Sequence, residues 1–228
     1  MTVVVALVSQ KGGVGKSTLA RSLAALCSRG GLTVKLADLD TKQQTAVKWA
    51  EVRAQTQPRD PVDVKSYSTV SEALEDGVEY DLIVIDSPGY ASPETIDIVQ
   101  NSHLVVLPTS DSFDDVHPTL VLMDGLIKTG ADRNRLAIAF CRLLECGDEQ
   151  GTRKLMEEYG VQVLRGCIPE RAAFRKASNS GLAITETFDG GADAPVNTLM
   201  EALLQKILAQ VQLTKPSKTQ HERDRGPM

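Results

Sequence analysis

Residues 9–23 read SQKGGVGKSTLARSL, a stretch that gathers glycine, lysine and hydroxyl side chains just after the apolar run VVVALV. Gly12, Gly13 and Gly15 let the backbone turn its N–H groups toward one point, with Val14 inside the same turn. A helix opening at Lys16 would aim its positive end there as well, which makes a cradle for an anion. Lys16 would reach the β- and γ-phosphates of a nucleoside triphosphate, and the hydroxyl of Ser17, in the pair with Thr18, would bind Mg²⁺. The strict phosphate-loop pattern GxxxxGK[ST] is not met, because Gln10 stands where its first glycine belongs. A plain glycine turn has no use for lysines and hydroxyls in register, so the stretch reads as a variant phosphate loop. Lys11 is left over, as a solvated loop lysine or as a second cation for the phosphates.

Two acidic strand ends lie downstream. In LADLDTKQQTAVKW, Asp38 and Asp40 alternate at the end of an apolar run, and YDLIVIDSPG places Asp86 after four apolar residues. The Asp86 carboxylate would hold Mg²⁺ through water, and Gly89 would begin the turn that follows. Strand-ending aspartates also serve simply as turn and cap residues, but the phosphate loop upstream favours the metal reading. No glutamate follows Asp86 directly, so the general base of many motor-type ATPases is missing and slow turnover is expected.

These residues need a scaffold that brings strand ends together. TVVVALV, LTVKLAD, VDVKSY, YDLIVID, HLVVLP, LAIAFCRL and VQVLRG read as strands, most of them apolar on both faces. Helical patterns lie between them at 16–28, 45–55, 69–76, 93–101, 115–129 and 149–159, and two more follow at about 170–180 and 195–212. The alternation predicts an α/β fold, a parallel twisted sheet with helices on both faces. With 228 residues and 42% hydrophobic content, residues 1–213 read as one domain and the polar stretch 214–228 as a disordered tail. The net charge of −5 restricts any nucleic-acid contact to a local patch. Cys27, Cys141, Cys146 and Cys167 have no metal-ligand spacing and are expected as reduced thiols. Neither a membrane-spanning run nor a signal peptide is present in the sequence, so a soluble cytoplasmic protein is expected.

The variant KGGVGKST, with lysine at its head, resembles the deviant Walker A box of the ParA/MinD family of P-loop ATPases. The resemblance implies that ATP and Mg²⁺ are bound by Gly12, Gly13, Val14, Gly15, Lys16, Ser17 and Thr18, and that Lys11 crosses to the phosphates held by a partner subunit in an ATP-dependent sandwich homodimer. A dimer interface closing over a triphosphate needs cations from both sides, which gives two lysines separate work. LADLDTKQQ is similar to the family's switch-I box DxDPQ, which implies that Asp40 sets up the hydrolytic water and that Asp38 lies near the Mg²⁺ shell. Here Thr41 replaces the proline and Lys42 is inserted before Gln43. The Asp86 strand matches the family's Walker B. GCIPERAAFRKASNSGLAITE is similar to the segment whose Ile-Pro, here Ile168 and Pro169, lies against adenine, with Ala177 and Gly181 at the small-residue positions.

Between Arg165 and Lys176 stand Arg165, Arg171, Arg175 and Lys176 against one acid, Glu170, a balance suited to sequence-independent phosphate binding or to a solvated helix face. The tail TKPSKTQHERDRGPM has almost no apolar face, unlike the membrane helix that ends MinD-like members. The expected function is therefore that of a small ParA-type ATPase. It would bind DNA nonspecifically as a nucleoid-associated dimer and position a cargo, either a plasmid through a ParB-like adaptor or a protein cluster such as a chemoreceptor array or microcompartment. A metabolic P-loop enzyme acting on a small acceptor is the alternative from another class.

Overall fold

Aliphatic runs without polar alternation cannot face water, and in the computed structural model they form the interior of one parallel sheet. The structure describes residues 1–56, 60–90, 93–147, 149–187 and 193–214. In chain order the strands and α-helices are β1 (Val3–Leu7), α1 (Lys16–Arg29), β2 (Val34–Asp38), α2 (Thr45–Thr56), β3 (Asp63–Ser66), α3 (Val70–Glu75), β4 (Leu82–Asp86) and α4 (Glu94–Gln100). They continue as β5 (Leu104–Thr109), α5 (Phe113–Lys128), β6 (Leu136–Leu143), α6 (Gln150–Glu158), β7 (Gln162–Val163), β8 (Ile168–Pro169), α7 (Ala172–Asn179) and α8 (Asp193–Thr214). The sheet order is β3-β2-β4-β1-β5-β6-β7, with β8 pairing β6, and every pairing is parallel.

Strand periodicity divides the core into two faces. Val5 and Leu7 of β1 pack with Leu19, Leu23, Trp49, Phe174 and Leu203, so α1, α2, α7 and α8 cover one side. Val4 and Ala6 pack with Val70, Ile98, Met123 and Met156, so α3 to α6 cover the other. The register that results is the basis of the site: Leu7 pairs with Asp86, and Asp38 pairs with Asp86 from the opposite side. The three strand ends form one row, and the loops leaving them must meet above it.

The expected elements are all present, with shifted ends. The strand expected at 161–166 shrinks to Gln162–Val163 because α8 crosses at Gly166. A Cβ there would lie 2.4 Å from the Pro195 carbonyl oxygen, and the backbone is left-handed at φ +79°. The chain pairs again only at Ile168 and Pro169. Helix α5 begins at Phe113, before the expected 115, and places Asp114 and Asp115 in its first turn, where the helix dipole favours acids.

The cysteines correct an expectation. Cys27 and Cys141 are free and buried, but Cys146 and Cys167 form a disulfide with Cα atoms 6.4 Å apart. Their spacing of 21 residues carries no motif; the β6–β8 pairing is what carries Cys167 to the loop after β6. The expected tail lies outside the described residues apart from Thr214, where α8 ends.

Gly181 locks α7 to α2. Its φ is +72°, and a Cβ would meet the Arg53 backbone nitrogen at 2.4 Å, beside an Arg53 guanidinium that is buried and bidentate to Glu186 at 2.7 and 2.8 Å. Neither the backbone nor the ion pair can yield cheaply. Gly181→Ala should therefore lower the unfolding free energy by about 3 kcal/mol, read as a shifted urea midpoint with unchanged slope.

Candidate active site

The phosphate loop leaves β1 in mid-sheet and enters α1 through Gly15, whose φ of 97° only glycine adopts without strain. A Cβ on Gly15 would lie 2.8 Å from the Cys141 Cβ, so β6 forms a floor directly beneath the loop. Burial pushes the Cys141 thiol up to about 12, and it stays neutral there. No side chain caps the start of α1, which leaves the first amides of the helix for an anion. Gly89 presses on the loop from the other side, with its missing Cβ 3.1 Å from the Gly12 Cα. Gly13, Gly15, Lys16, Ser17 and Thr18 line a cavity of about 600 Å³, within the range of small-ligand pockets. Val14 is buried beneath it.

Lys16 is buried and donates to Asp86 Oδ1 at 3.1 Å, across the Leu7–Asp86 register. Asp86 Oδ2 is buried and has no hydrogen-bond partner among the described residues. A buried carboxylate oxygen without a donor is costly unless something positive completes it. Beside the loop, the Thr45 hydroxyl donates to Ser17 Oγ at 3.1 Å. Hard oxygen donors of this kind suit Mg²⁺, so Ser17 and Asp86 fit the metal they were expected to hold.

Asp38 carries backbone bonds that no sequence motif announces. It stands beside Asp86 in register, but Oδ1 accepts the Asp40 amide at 3.0 Å and Oδ2 accepts the Ala46 amide at 2.8 Å and the Val47 amide at 3.4 Å. Its carboxylate caps the first turn of α2, and burial together with the Asp86 charge raises its pKa. Asp40 is also buried, holding the Gln43 amide at 3.0 Å and the Gln43 side chain at 3.1 Å. The inserted Lys42 is thus absorbed in a turn that Gln44 closes at φ 50°.

The two lysines of the loop face different ways. Lys11 has a side chain 45% exposed, pairs with Asp115 and donates to the Asp114 carbonyl at 3.3 Å. That carbonyl is vacant for a simple reason: the residue four positions on is Pro118, which has no N–H to give it.

Ile168 and Pro169 line the same cavity as the loop. Arg171 and Arg175 line the same cavity, whereas Arg165 and Lys176 are exposed outside it. Arg175 pairs with Glu170 at 2.7 Å, so one of the four expected DNA cations is matched by an acid here. Thr45 and Arg142 also line the cavity, and neither stands in a sequence motif. The position of Arg142 at the C-terminal end of a buried strand is the signal that points to it.

Residues 5–184 match the family model described as the CobQ/CobB/MinD/ParA nucleotide binding domain. The chain belongs to this family. The chromosome-partitioning ATPase Soj of Thermus thermophilus is 27% identical over 244 aligned positions, covering 91% of this chain and 96% of that protein. Maintenance of carboxysome distribution protein A of Gloeobacter kilaueensis is 26% identical over 193 positions, covering 80% and 84%. A plasmid partition protein of Borrelia burgdorferi, solved with AMPPNP, shares the fold with a TM-score of 0.67 at 21% identity, covering 92% of this chain and 100% of that one. The matched residues include the whole cradle above β1, and a nucleotide-binding domain needs an anion cradle of this kind. Gly15→Ala should therefore weaken ATP binding by roughly tenfold or more, because the side chain forces the loop off Cys141, and titration with a fluorescent ATP analogue checks it.

Proposed function

We propose that this chain is a ParA-type ATPase that binds ATP with Mg²⁺, pairs as a sandwich dimer, binds DNA without sequence preference and positions a cargo. The observation that carries this reading is the opposed placement of two lysines on one loop. Lys16 lies buried over its own cradle, whereas Lys11 is turned outward onto α5, where a second copy can draw it away. Lys16 would exchange Asp86 for the β- and γ-phosphates. Mg²⁺ held by Ser17 and Asp86 would offset the charge developing on the transferred phosphoryl group. Asp40 would orient the attacking water once the Gln43 turn opens.

The working unit is residues 1–213, cytoplasmic when free of nucleotide and nucleoid-associated with ATP. Among the described residues no helix is long and apolar enough to cross a membrane. DNA would be held by Arg165, Arg171, Arg175 and Lys176 from both copies, since linking two weak patches makes the second contact effectively intramolecular. A ParB-like adaptor would couple the dimer to a plasmid. The likeness to a carboxysome distribution protein favours a second reading of the cargo, a protein compartment reached through its own adaptor.

Two experiments test these roles. Lys16→Ala should abolish ATP binding, whereas Lys11→Ala should keep monomer binding and lose the ATP-dependent dimer; titration and size-exclusion analysis separate them. Equal loss of affinity in both would refute the shared-charge reading. DNA retention should require ATP, fall steeply with salt, and drop about tenfold or more in Arg165→Glu and Lys176→Glu, which lie outside the cavity, at unchanged ATP affinity. Tight retention without ATP would move the DNA surface elsewhere.

A further inference from the structure

Arg142 occupies a place that backbone chemistry would give to glycine. Its neighbours Cys141 and Leu143 pair with Ile168 and Pro169, and the register shifts between them, so Arg142 is the bulged residue of β6. Its φ is +60°, and Gln44 is the only other described non-glycine residue with positive φ. Bulges beside ligand sites re-aim a side chain, and a bulky residue held left-handed points to work done by that side chain.

The guanidinium reaches back over the phosphate loop. One terminal nitrogen donates to the Gly13 carbonyl, and Nε donates to Glu170 Oε2 at 2.9 Å. Glu170 is held in turn, its amide donating to the Leu143 carbonyl at 2.7 Å and its second oxygen accepting from Arg175 at 2.7 Å. The two arginines keep the Glu170 carboxylate below the ordinary glutamate range. Arg142 is therefore fastened at both ends, to the loop and to a fixed anion.

The geometry points to Arg142 as a positioning residue for the nucleotide. In a trans peptide the C=O and N–H are antiparallel, so the plane joining Gly13 to Val14 has one free choice of orientation. Glycine at φ +82° leaves that plane free to rotate. A guanidinium bonded to the Gly13 carbonyl fixes the plane, and with it the direction of the Val14 amide on the opposite edge. Arg142 thus presets one N–H of the cradle for phosphate and adds a positive charge to the cavity wall. This inference rests on the cradle being the nucleotide site.

Glycine is the informative substitution, because it removes the guanidinium and suits the left-handed backbone at once. Arg142→Gly should leave the urea midpoint of the nucleotide-free protein unchanged or higher, while weakening both ATP and ADP binding by roughly tenfold. Arg142→Lys, which keeps charge but not the two-ended fork, should recover only part of the affinity. Wild-type ATP affinity in Arg142→Gly overturns the proposal. So does a fall in the nucleotide-free midpoint that accompanies the affinity loss, which marks a merely structural residue, and so does full recovery by lysine. Failure of the unmutated protein to bind ATP or ADP would instead overturn the nucleotide reading of the cradle.

Discussion

A buried ammonium persists only where a negative charge stands against it, and the Lys16–Asp86 pair meets that condition at 3.1 Å. The pair exists because β1 and β4 are adjacent and in register, with Leu7 opposite Asp86. A slip of one residue would turn Asp86 to the other face of the sheet and leave both charges alone. The pair also leaves one Asp86 oxygen without a donor. The sheet thereby fixes a buried ion pair at the strand ends, with one carboxylate oxygen still unbonded among the described residues.

Around that pair the glycines act as spacers between layers rather than as flexible links. Gly15 lets the loop rest on Cys141, Gly89 lets the turn after β4 rest on Gly12, and Gly166 lets α8 cross close to β7 and β8. Each contact is backbone against backbone or against a Cβ, so the loop is clamped from below and from one side. Arg142, next to Cys141 and held by Glu170, adds a polar hold through the Gly13 carbonyl where the others are steric.

Charge is distributed with equal economy. Lys11 is parked on α5 by Asp115 and by a carbonyl that Pro118 leaves vacant, an exposed arrangement whose ion pair solvent weakens. Arg175 shares Glu170 with Arg142, so α7 is linked to the phosphate loop through that carboxylate and the Arg142 guanidinium, which bonds the Gly13 carbonyl.

The sequence alone determined the parts whose signals are local. Strands buried on both faces are continuous aliphatic runs, a phosphate loop must carry its glycines, lysine and hydroxyl consecutively, and a Walker B carboxylate must end its strand. Those features named the fold and the cradle, and put Ser17 and Asp86 at its edge. Only the tertiary structure decided what depends on residues distant in the chain. Asp38 spends its carboxylate on the amides of α2 because the turn through Gln44 brings that helix start within reach. Cys146 meets Cys167, and the guanidinium of Arg142 crosses to Gly13, because β8 pairs with β6 through a bulge. Arg171 and Arg175 line the cavity beside the phosphate loop because α7 packs Phe174 into the core between them. Local patterns record what a segment must be, whereas pairing, register and a bulge, acting across as many as 129 residues of chain, set what it touches.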